Sequence, residues 1–213
     1  MIKAVFFDLD GTIGDTLPLC VEAFKRAIEP LAGRTFTNKE IMDTFGPSEE
    51  GTISALIPEH FDEGIERYLK YYKQLHDLCP KPFDGMIDIL EFLKTKGIIM
   101  ALITGKGRRS ADITLPIFNI ESYFAAVETG TPAGLKKIED IKKLLKQFNL
   151  APDEVIYVGD LQSDIQAARE AGIFIISAAW AETADREALL RLNPDATIKT
   201  IEEFDMYIKS VVQ

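Results

Sequence analysis

The sequence predicts an α/β protein with a parallel sheet core and an all-helical segment inserted after the first strand. Short apolar runs rich in Val, Ile and Phe alternate with helical patterns from about residue 84 onward. This alternation is typical of buried parallel strands that are joined by helices. Between residues 16 and 78 the pattern changes to helices alone, which indicates a separate helical lobe.

Four continuous apolar runs are predicted to be strands that are covered on both faces. They are AVFF from Ala4, IIMALI from Ile98, VIYV from Val155 and IFIIS from Ile173, and a weaker run, YFAAVE, lies near Tyr123. Helices are predicted in the intervals: MIDILEFLKTKG from Met86, IEDIKKLLKQF from Ile138 and DIQAAREAG from Asp164. Gly97 and Gly172 are predicted to end two of these helices.

The helical lobe begins with the pattern TLPLCVEAFKRAIEPL and contains a predicted capping box formed by Thr37 and Glu40. Residues 11–14 would lead the chain out of the sheet core, and residues 80–82 would bring it back. We therefore predict a core made of residues 1–14 and 82–213, with residues 15–81 as an inserted domain.

Composition excludes several classes of partner. The net charge of −10 over 213 residues opposes nonspecific binding to nucleic acid or to an anionic membrane, since both require a basic surface. Two cysteines cannot build a disulfide framework, and no secretion signal is visible, so we expect a cytoplasmic protein. The sequence leaves open whether it is a monomer or a small homo-oligomer.

Three predicted strands end in polar residues: DLDGT at residues 8–12, TGKG at 104–107 and GDLQSD at 159–164. Ligands bind beyond the carboxyl ends of the strands in an open parallel sheet, so we expect these three segments to face one crevice. They carry four carboxylates, those of Asp8, Asp10, Asp160 and Asp164.

Four converging carboxylates need a cation, because two like charges about 4 Å apart repel by roughly 4 kcal/mol at an effective dielectric of 20. Mg²⁺ fits, since it prefers oxygen ligands and shares its coordination sphere with a substrate phosphate. A carboxylate pair at a strand end, near a hydroxyl, also suggests covalent catalysis, with one carboxylate as nucleophile and the other moving protons. A phosphoryl group is the expected electrophile, because aspartate attacks phosphorus without first losing a proton.

These motifs resemble those of the haloacid dehalogenase superfamily. FFDLDGT, ALITG, a lysine-bearing loop and VGDLQSD occur in the family's order across nearly the whole chain. The helical insertion after the first motif resembles the branch that contains phosphoglycolate phosphatases and beta-phosphoglucomutases. The resemblance implies a Rossmann-like parallel sheet core with an inserted helical cap domain.

The resemblance also implies a role for each motif residue. Asp8 would be the nucleophile, and Asp10 would be the general acid/base and would also offer its backbone carbonyl to Mg²⁺. Asp160 would complete the metal site, and Asp164 would bind or orient the metal. The remaining predicted contacts are Thr104 and Gly105 to the transferring phosphoryl oxygens and Thr12 as support for the turn.

The lysine motif departs from the family pattern, because the prolines that usually follow the lysine are missing from Leu135–Asp140. Spacing favours Lys136 as the active-site lysine, and Lys137 remains an alternative. Two further cations, Lys106 and Arg108, lie near a predicted helix N-terminus, where cations oppose the helix dipole, and could attract an anionic substrate. In the lobe, the resemblance makes Gly46 and Ser48 part of a cap segment that reads the leaving group.

Together these features predict a Mg²⁺-dependent phosphatase that hydrolyses a small phosphate monoester, either phosphoglycolate-like or a sugar phosphate. A beta-phosphoglucomutase-like mutase and an inorganic pyrophosphatase are alternatives, although mutases of this family carry glutamate where this chain has Gly159. The alternative from another class is a catalytically silent phosphate-binding regulatory module. The presence of Asp8, Asp10, Thr104 and Asp160 favours the enzyme.

Overall fold

The computed structural model describes residues 1–212 and contains one six-stranded parallel sheet within them. The strands are β1 (Ala4–Phe7), β2 (Ile99–Ile103), β3 (Ala126–Glu128), β4 (Val155–Gly159), β5 (Phe174–Ala178) and β6 (Ala196–Ile198). Their order across the sheet is β3-β2-β1-β4-β5-β6. The strand order reverses at β1, so β1 lies at the topological switch point, where ligands bind in sheets of this kind.

Helices connect the strands and form the insertion. Those after β1 and before β2 are α1 (Leu17–Ala32), α2 (Asn38–Met42), α3 (Glu49–Leu56), α4 (Phe61–Gln74) and α5 (Met86–Thr95). Those after β2 are α6 (Arg108–Phe118), α7 (Lys137–Gln147), α8 (Gln162–Ala171), α9 (Arg186–Arg191) and α10 (Ile201–Val211). Short 3₁₀ turns occupy Pro58–His60, His76–Leu78, Glu121–Tyr123 and Pro152–Glu154.

Both faces of the sheet are buried, because successive side chains of a strand point to opposite sides. On one side Val5 and Phe7 belong to a cluster that also contains residues of α5 and α10 and extends into the inserted helices. On the other side Ala4 and Phe6 pack with residues of α7 and α8. This double burial explains why the strands are continuous apolar runs.

The predicted fold class is confirmed, with a Rossmann-like parallel sheet and an inserted set of helices. The capping box is also confirmed, since Thr37 accepts from the Glu40 N–H and Glu40 accepts from the Thr37 N–H. Gly172 ends α8 in the left-handed conformation, as predicted. The three-residue strand β6 was not predicted, because its apolar run is too short to stand out. The domain boundaries 1–14, 15–81 and 82–213 remain a prediction.

Two negative findings apply to residues 1–212. None of their helices is both long enough and apolar enough to cross a membrane. Cys20 and Cys79 are free thiols, and both are buried.

Candidate active site

Strand pairing brings the three polar segments together. β1 lies between β2 and β4, and Phe7 pairs with Leu102 on one side and with Val158 on the other. The residues that follow these strands therefore emerge side by side at one edge of the sheet. Asp8 continues the line of β1, because its backbone N–H donates to the Val158 carbonyl at 2.9 Å. The predicted single crevice is present.

Asp8 is the buried centre of this edge and is 2% exposed. The Lys137 ammonium donates to its Oδ1 at 3.1 Å. The pKa of Asp8 is raised to about 7, chiefly by burial; Lys137 lowers it, and the carboxylates of Asp164 and Asp10 contribute to the rise. A nearby cation stabilises the charged form of a buried carboxyl group more than that of an exposed one.

The lysine that reaches Asp8 is Lys137, so the prediction of Lys136 was wrong. Lys137 is buried and bridges Asp8 and Asp164, with its Nζ 2.6 Å from Asp164 Oδ1. The Lys136 side chain is 42% exposed and lies 3.5 Å from Asp140 on its own helix. Successive helical residues project about 100° apart, so two adjacent lysines cannot both point at the strand ends.

A signal for Lys137 was present in the sequence. Lys137, Ile141 and Leu144 are spaced by four and three residues, and all three are buried. Lys137 therefore continues the apolar stripe of α7 toward the core, whereas Lys136 does not. The position of each lysine on the helix therefore indicates Lys137. Spacing along the motif was less informative, because the prolines that usually follow the lysine are missing.

Asp160 completes a cluster of carboxylates that could hold a cation. One oxygen each from Asp8, Asp160 and Asp164 lies within 4.8 Å of the others, and all three residues are buried. Asp164 is already well supplied with donors, since Lys137 and Tyr157 donate to Oδ1 and the Leu161 N–H donates to Oδ2. This arrangement suits an orienting role for Asp164 and leaves Asp8 and Asp160 as the better metal ligands.

The residues present fit Mg²⁺. Their donors are carboxylate oxygens, which a hard cation prefers, and burial raises the pKa of Asp160 well above its usual range, with Asp8 and Asp164 adding to the shift. Gly11 keeps the space beside Asp160 open. A Cβ at Gly11 would lie 2.3 Å from Asp160 Oδ2, and its φ of +80° also disfavours other residues.

Asp10 lies outside this side-chain cluster and faces the pocket instead. Its Oδ1 is 3.2 Å from Lys106 Nζ and also accepts the Thr16 hydroxyl. Lys106 is buried and also contacts Cys20 Sγ at 3.4 Å and the Tyr72 ring. The cation predicted to meet substrate is therefore already paired with the predicted acid/base.

Thr104 and Gly105 line the pocket beside Asp8, as their predicted roles require. Thr104 Oγ1 accepts the Lys106 N–H at 3.1 Å, which leaves its hydroxyl hydrogen available for another acceptor. Thr12 is fully buried, and its hydroxyl donates to Asp160 Oδ1 at 3.0 Å. Thr12 therefore supports Asp160 and does not face a substrate.

Two other predicted substrate contacts, Arg108 and Ser48, are not among the residues that line the pocket. The Arg108 side chain is 60% exposed and pairs with Asp112 on its own helix. The Ser48 hydroxyl is buried and donates to Glu50. Neither residue belongs to the pocket lining, so the placement of these side chains does not support their predicted contacts with substrate. Gly46 does line the pocket.

The inserted helices cover the strand ends and close this pocket. The Ser48 N–H donates to the Thr131 carbonyl at 3.0 Å, and Glu49 Oε2 accepts the Gly107 N–H at 2.7 Å. Sequence reasoning missed Glu49, and nothing in the sequence distinguishes it from Glu50. The insertion also contributes a wall to the pocket, whose side chains are Leu17, Phe24, Phe45, Pro47 and Tyr68.

A model of the haloacid dehalogenase-like hydrolase family matches residues 5–178. The chain belongs to this family. Among relatives of this hydrolase, a pyrophosphatase PpaX from Anoxybacillus flavithermus is 29% identical over 204 residues, which cover 95% of this chain and 94% of that protein. The matched residues include the whole site that lies between β1 and β5.

Solved structures of haloacid dehalogenase-like proteins share the fold over the full length. A haloacid dehalogenase-like hydrolase from Streptococcus pneumoniae has a TM-score of 0.79 and 27% identity, and covers 97% of this chain and 98% of its own. A candidate beta-phosphoglucomutase from Thermotoga maritima has a TM-score of 0.77 and 28% identity, and covers 99% and 100%. These relatives span several activities, so family membership alone leaves the substrate of this hydrolase undetermined.

The raised pKa of Asp8 predicts how Mg²⁺ and pH act together on stability. The folded state holds a proton on Asp8 up to about pH 7, whereas the unfolded state releases it near pH 4. The stability of the metal-free protein should therefore fall as pH rises between these values. Mg²⁺ competes with the proton, so it should raise the melting temperature clearly at pH 7.5 and little at pH 5.5.

Thermal unfolding in EDTA and in Mg²⁺ at the two pH values checks this prediction, and Asp8→Asn is the control. The asparagine cannot titrate, so the variant should lose the part of the pH dependence that Asp8 contributes, while Asp160, whose pKa is also raised by burial, still contributes its own part. A Mg²⁺ effect of the same size at both pH values would contradict the assignment of Asp8 to the metal site.

Proposed function

We propose that this protein is a Mg²⁺-dependent phosphatase that hydrolyses a small phosphate monoester through an aspartyl-phosphate on Asp8. The observation that carries the proposal is the placement of Asp8. Its carboxylate is buried at the end of the central strand, lies 3.1 Å from Lys137 and lines a pocket that Asp10 also lines. A carboxylate that faces a pocket while held by a cation is suited to attack a phosphoryl group.

The reaction proceeds in two steps. Asp8 attacks phosphorus, the bond from phosphorus to the leaving oxygen breaks, and protonated Asp10 donates its proton to that oxygen. Water then attacks the aspartyl-phosphate, Asp10 accepts a proton from the water, and the bond between phosphorus and Asp8 breaks to release phosphate. Asp10 is suited to both steps because its side chain is 17% exposed, whereas Asp8 is almost fully buried.

Several groups stabilise the charge that moves during these steps. Lys137 neutralises Asp8, and the free hydrogen of the Thr104 hydroxyl can donate to a phosphoryl oxygen. Asp8 and Asp160 would hold Mg²⁺, with Asp164 orienting them, and the ion would supply positive charge to the phosphoryl oxygens when bound. The inserted helices line part of the pocket and would limit the access of bulk water to it.

Pyrophosphate hydrolysis is a second candidate, which the names of the PpaX relatives favour. The mutase alternative is less compatible with this site, because a Cβ at Gly159 would lie 2.4 Å from the Asp164 carboxyl carbon. The glutamate that mutases carry at this position would therefore displace Asp164. The silent regulatory module is disfavoured because both carboxylates needed for turnover line the pocket.

The direct test is hydrolysis of an aryl phosphate in Mg²⁺ and in EDTA, together with the variant Asp10→Asn. We expect Mg²⁺-dependent release of phosphate by the native protein. Asp10→Asn should lower steady-state turnover by roughly 10²–10⁴-fold, because the attacking water lacks its base. A labelled substrate should then leave phosphate on Asp8 that survives rapid acid quench. Fast turnover by this variant without trapped phosphoenzyme would refute the role of Asp10.

We also propose that the enzyme acts on a phosphorylated metabolite in the cytoplasm, as a monomer or small homo-oligomer, without nucleic acid or membrane partners. The net charge of −10 supports the absence of polyanionic partners. Size-exclusion chromatography with light scattering, at micromolar protein, would establish the oligomeric state.

A further inference from the structure

The pocket has two unlike sides. The side at the strand ends carries Asp8, Asp10, Thr104 and Lys137, which the proposed chemistry uses. The opposite side comes from the inserted helices and is largely apolar, with Phe24 stacked on Tyr68 at 4.2 Å and tilted against Phe45 at 5.8 Å. The cavity between them is about 90 Å³, which suits a phosphoryl group with a small leaving group.

The cations of this pocket are already paired. Among residues 1–212, its lining includes two, Lys106 and Lys137. Lys106 lies 3.2 Å from Asp10, and Lys137 contacts both Asp8 and Asp164. Arg108 and Arg109 lie outside the lining and pair with acids on exposed helix faces. A second phosphate or a carboxylate on the leaving group would therefore meet no free positive charge.

Glu49 adds a negative charge to the apolar side. It lines the pocket and is 5% exposed. Its Oε2 accepts the Gly107 N–H at 2.7 Å, but its Oε1 is buried without a hydrogen-bond partner in the part of the chain that the structure describes. A buried carboxylate oxygen without a donor is costly, and a ligand that brings a donor removes this cost.

This arrangement identifies the class of leaving group, on the basis of the proposed phosphatase function. We infer that the leaving alcohol is small and carries a hydrogen-bond donor, a hydroxyl or an ammonium group, that Glu49 accepts. The aromatic wall packs against its carbon atoms. An anionic leaving group, such as the second phosphate of pyrophosphate or the carboxylate of phosphoglycolate, is disfavoured by Glu49 and by the absence of a free cation in the described lining.

A series of esters of matched size tests the inference. Ethyl phosphate, 2-hydroxyethyl phosphate, phosphoethanolamine and phosphoglycolate differ mainly in the group at the far end, and pyrophosphate completes the set. We expect kcat/KM for the better of the hydroxyl and ammonium esters to exceed that for ethyl phosphate by at least about tenfold. Phosphoglycolate and pyrophosphate should fall below ethyl phosphate. The hydroxyl and ammonium arms show which donor is preferred.

Glu49→Gln separates recognition from structure, because the amide oxygen can still accept the Gly107 N–H while its nitrogen now donates. The donor preference should shrink to within about threefold, and phosphoglycolate should gain relative to ethyl phosphate. Glu50→Gln is the matched control, since Glu50 is adjacent, binds Ser48 and lies outside the pocket lining. It should keep the native order of substrates.

The outcomes distinguish this inference from the proposed function. Preference for phosphoglycolate or pyrophosphate, or an unchanged order of esters in Glu49→Gln, would overturn the inference and leave the phosphatase intact. Equal rates across the series in the native protein would do the same. Failure to hydrolyse any of these compounds or an aryl phosphate would overturn the proposed function, and the inference with it.

Discussion

Replacing Asp8 with asparagine is expected to abolish phosphate-ester hydrolysis while leaving the fold intact. Loss of a catalytic nucleophile lowers kcat by roughly 10⁴-fold or more, because no other group can form the covalent intermediate. Asparagine has nearly the same shape, and Asp164 still offers Lys137 a partner at 2.6 Å. Turnover of an aryl phosphate, with labelled substrate to detect phosphoenzyme, measures the effect.

Thermal unfolding provides the control for this variant. Burial raises the pKa of Asp8 to about 7, so the native protein pays a free-energy cost for the charge above that pH. In EDTA at pH 8, Asp8→Asn should therefore melt at the same temperature as the native protein or above it. Full activity in a folded Asp8→Asn variant would refute the aspartyl-phosphate mechanism.

Replacing Lys137 with methionine is expected to impair both catalysis and stability. Methionine fills a similar volume but leaves the buried carboxylates of Asp8 and Asp164 without their cation. Removing one partner of a buried ion pair typically destabilises a protein by about 3–5 kcal/mol. The missing charge should also lower kcat by roughly 10²–10³-fold. Urea unfolding in EDTA at pH 8 and steady-state kinetics in Mg²⁺ check the two effects.

Lys136→Met is the matched control, because it makes the same change one residue earlier. The Lys136 side chain is 42% exposed, and its pairing with Asp140 is worth less than about 1 kcal/mol. We expect its activity to stay within about twofold of the native value. If Lys136→Met lost activity and Lys137→Met kept it, the structural assignment of the lysine would be wrong. The destabilisation of Lys137→Met should shrink at pH 5.5, where Asp8 is neutral in the folded state.

Much of the fold could be predicted because its signals are local. The strand Val155–Gly159 is buried on both sheet faces, and burial on both faces favours apolar residues at successive positions. Such a continuous apolar run can be recognised in the sequence. The helix start at Thr37 was equally readable, since its capping box lies within four residues. Strand β6 at Ala196–Ile198 escaped prediction because a three-residue strand depends on its neighbour β5 for its hydrogen bonds.

The site was most predictable where a residue directly follows a strand. Asp8, Thr104 and Asp160 follow strands directly, and parallel pairing brings such positions to one edge. Lys106 lies two residues beyond Thr104, and its pairing with Asp10 could not be inferred from spacing. The direction of a side chain in a loop or first helical turn depends on backbone angles that its local sequence does not specify.

The sequence by itself determined the parallel α/β sheet, the inserted helices, and the carboxylates and hydroxyl that follow the strands. Only the tertiary structure decided that Lys137 faces Asp8, that Arg108 faces solvent, and that Glu49 closes the pocket from the opposite side. The physical reason is the range of the interactions. Burial and hydrogen bonding within a strand or turn produce a pattern of residue types that can be recognised over a few positions. Lys137 and Asp8, in contrast, are 129 positions apart in the chain, and no local pattern relates them. Their contact exists only after the sheet and the helices have packed.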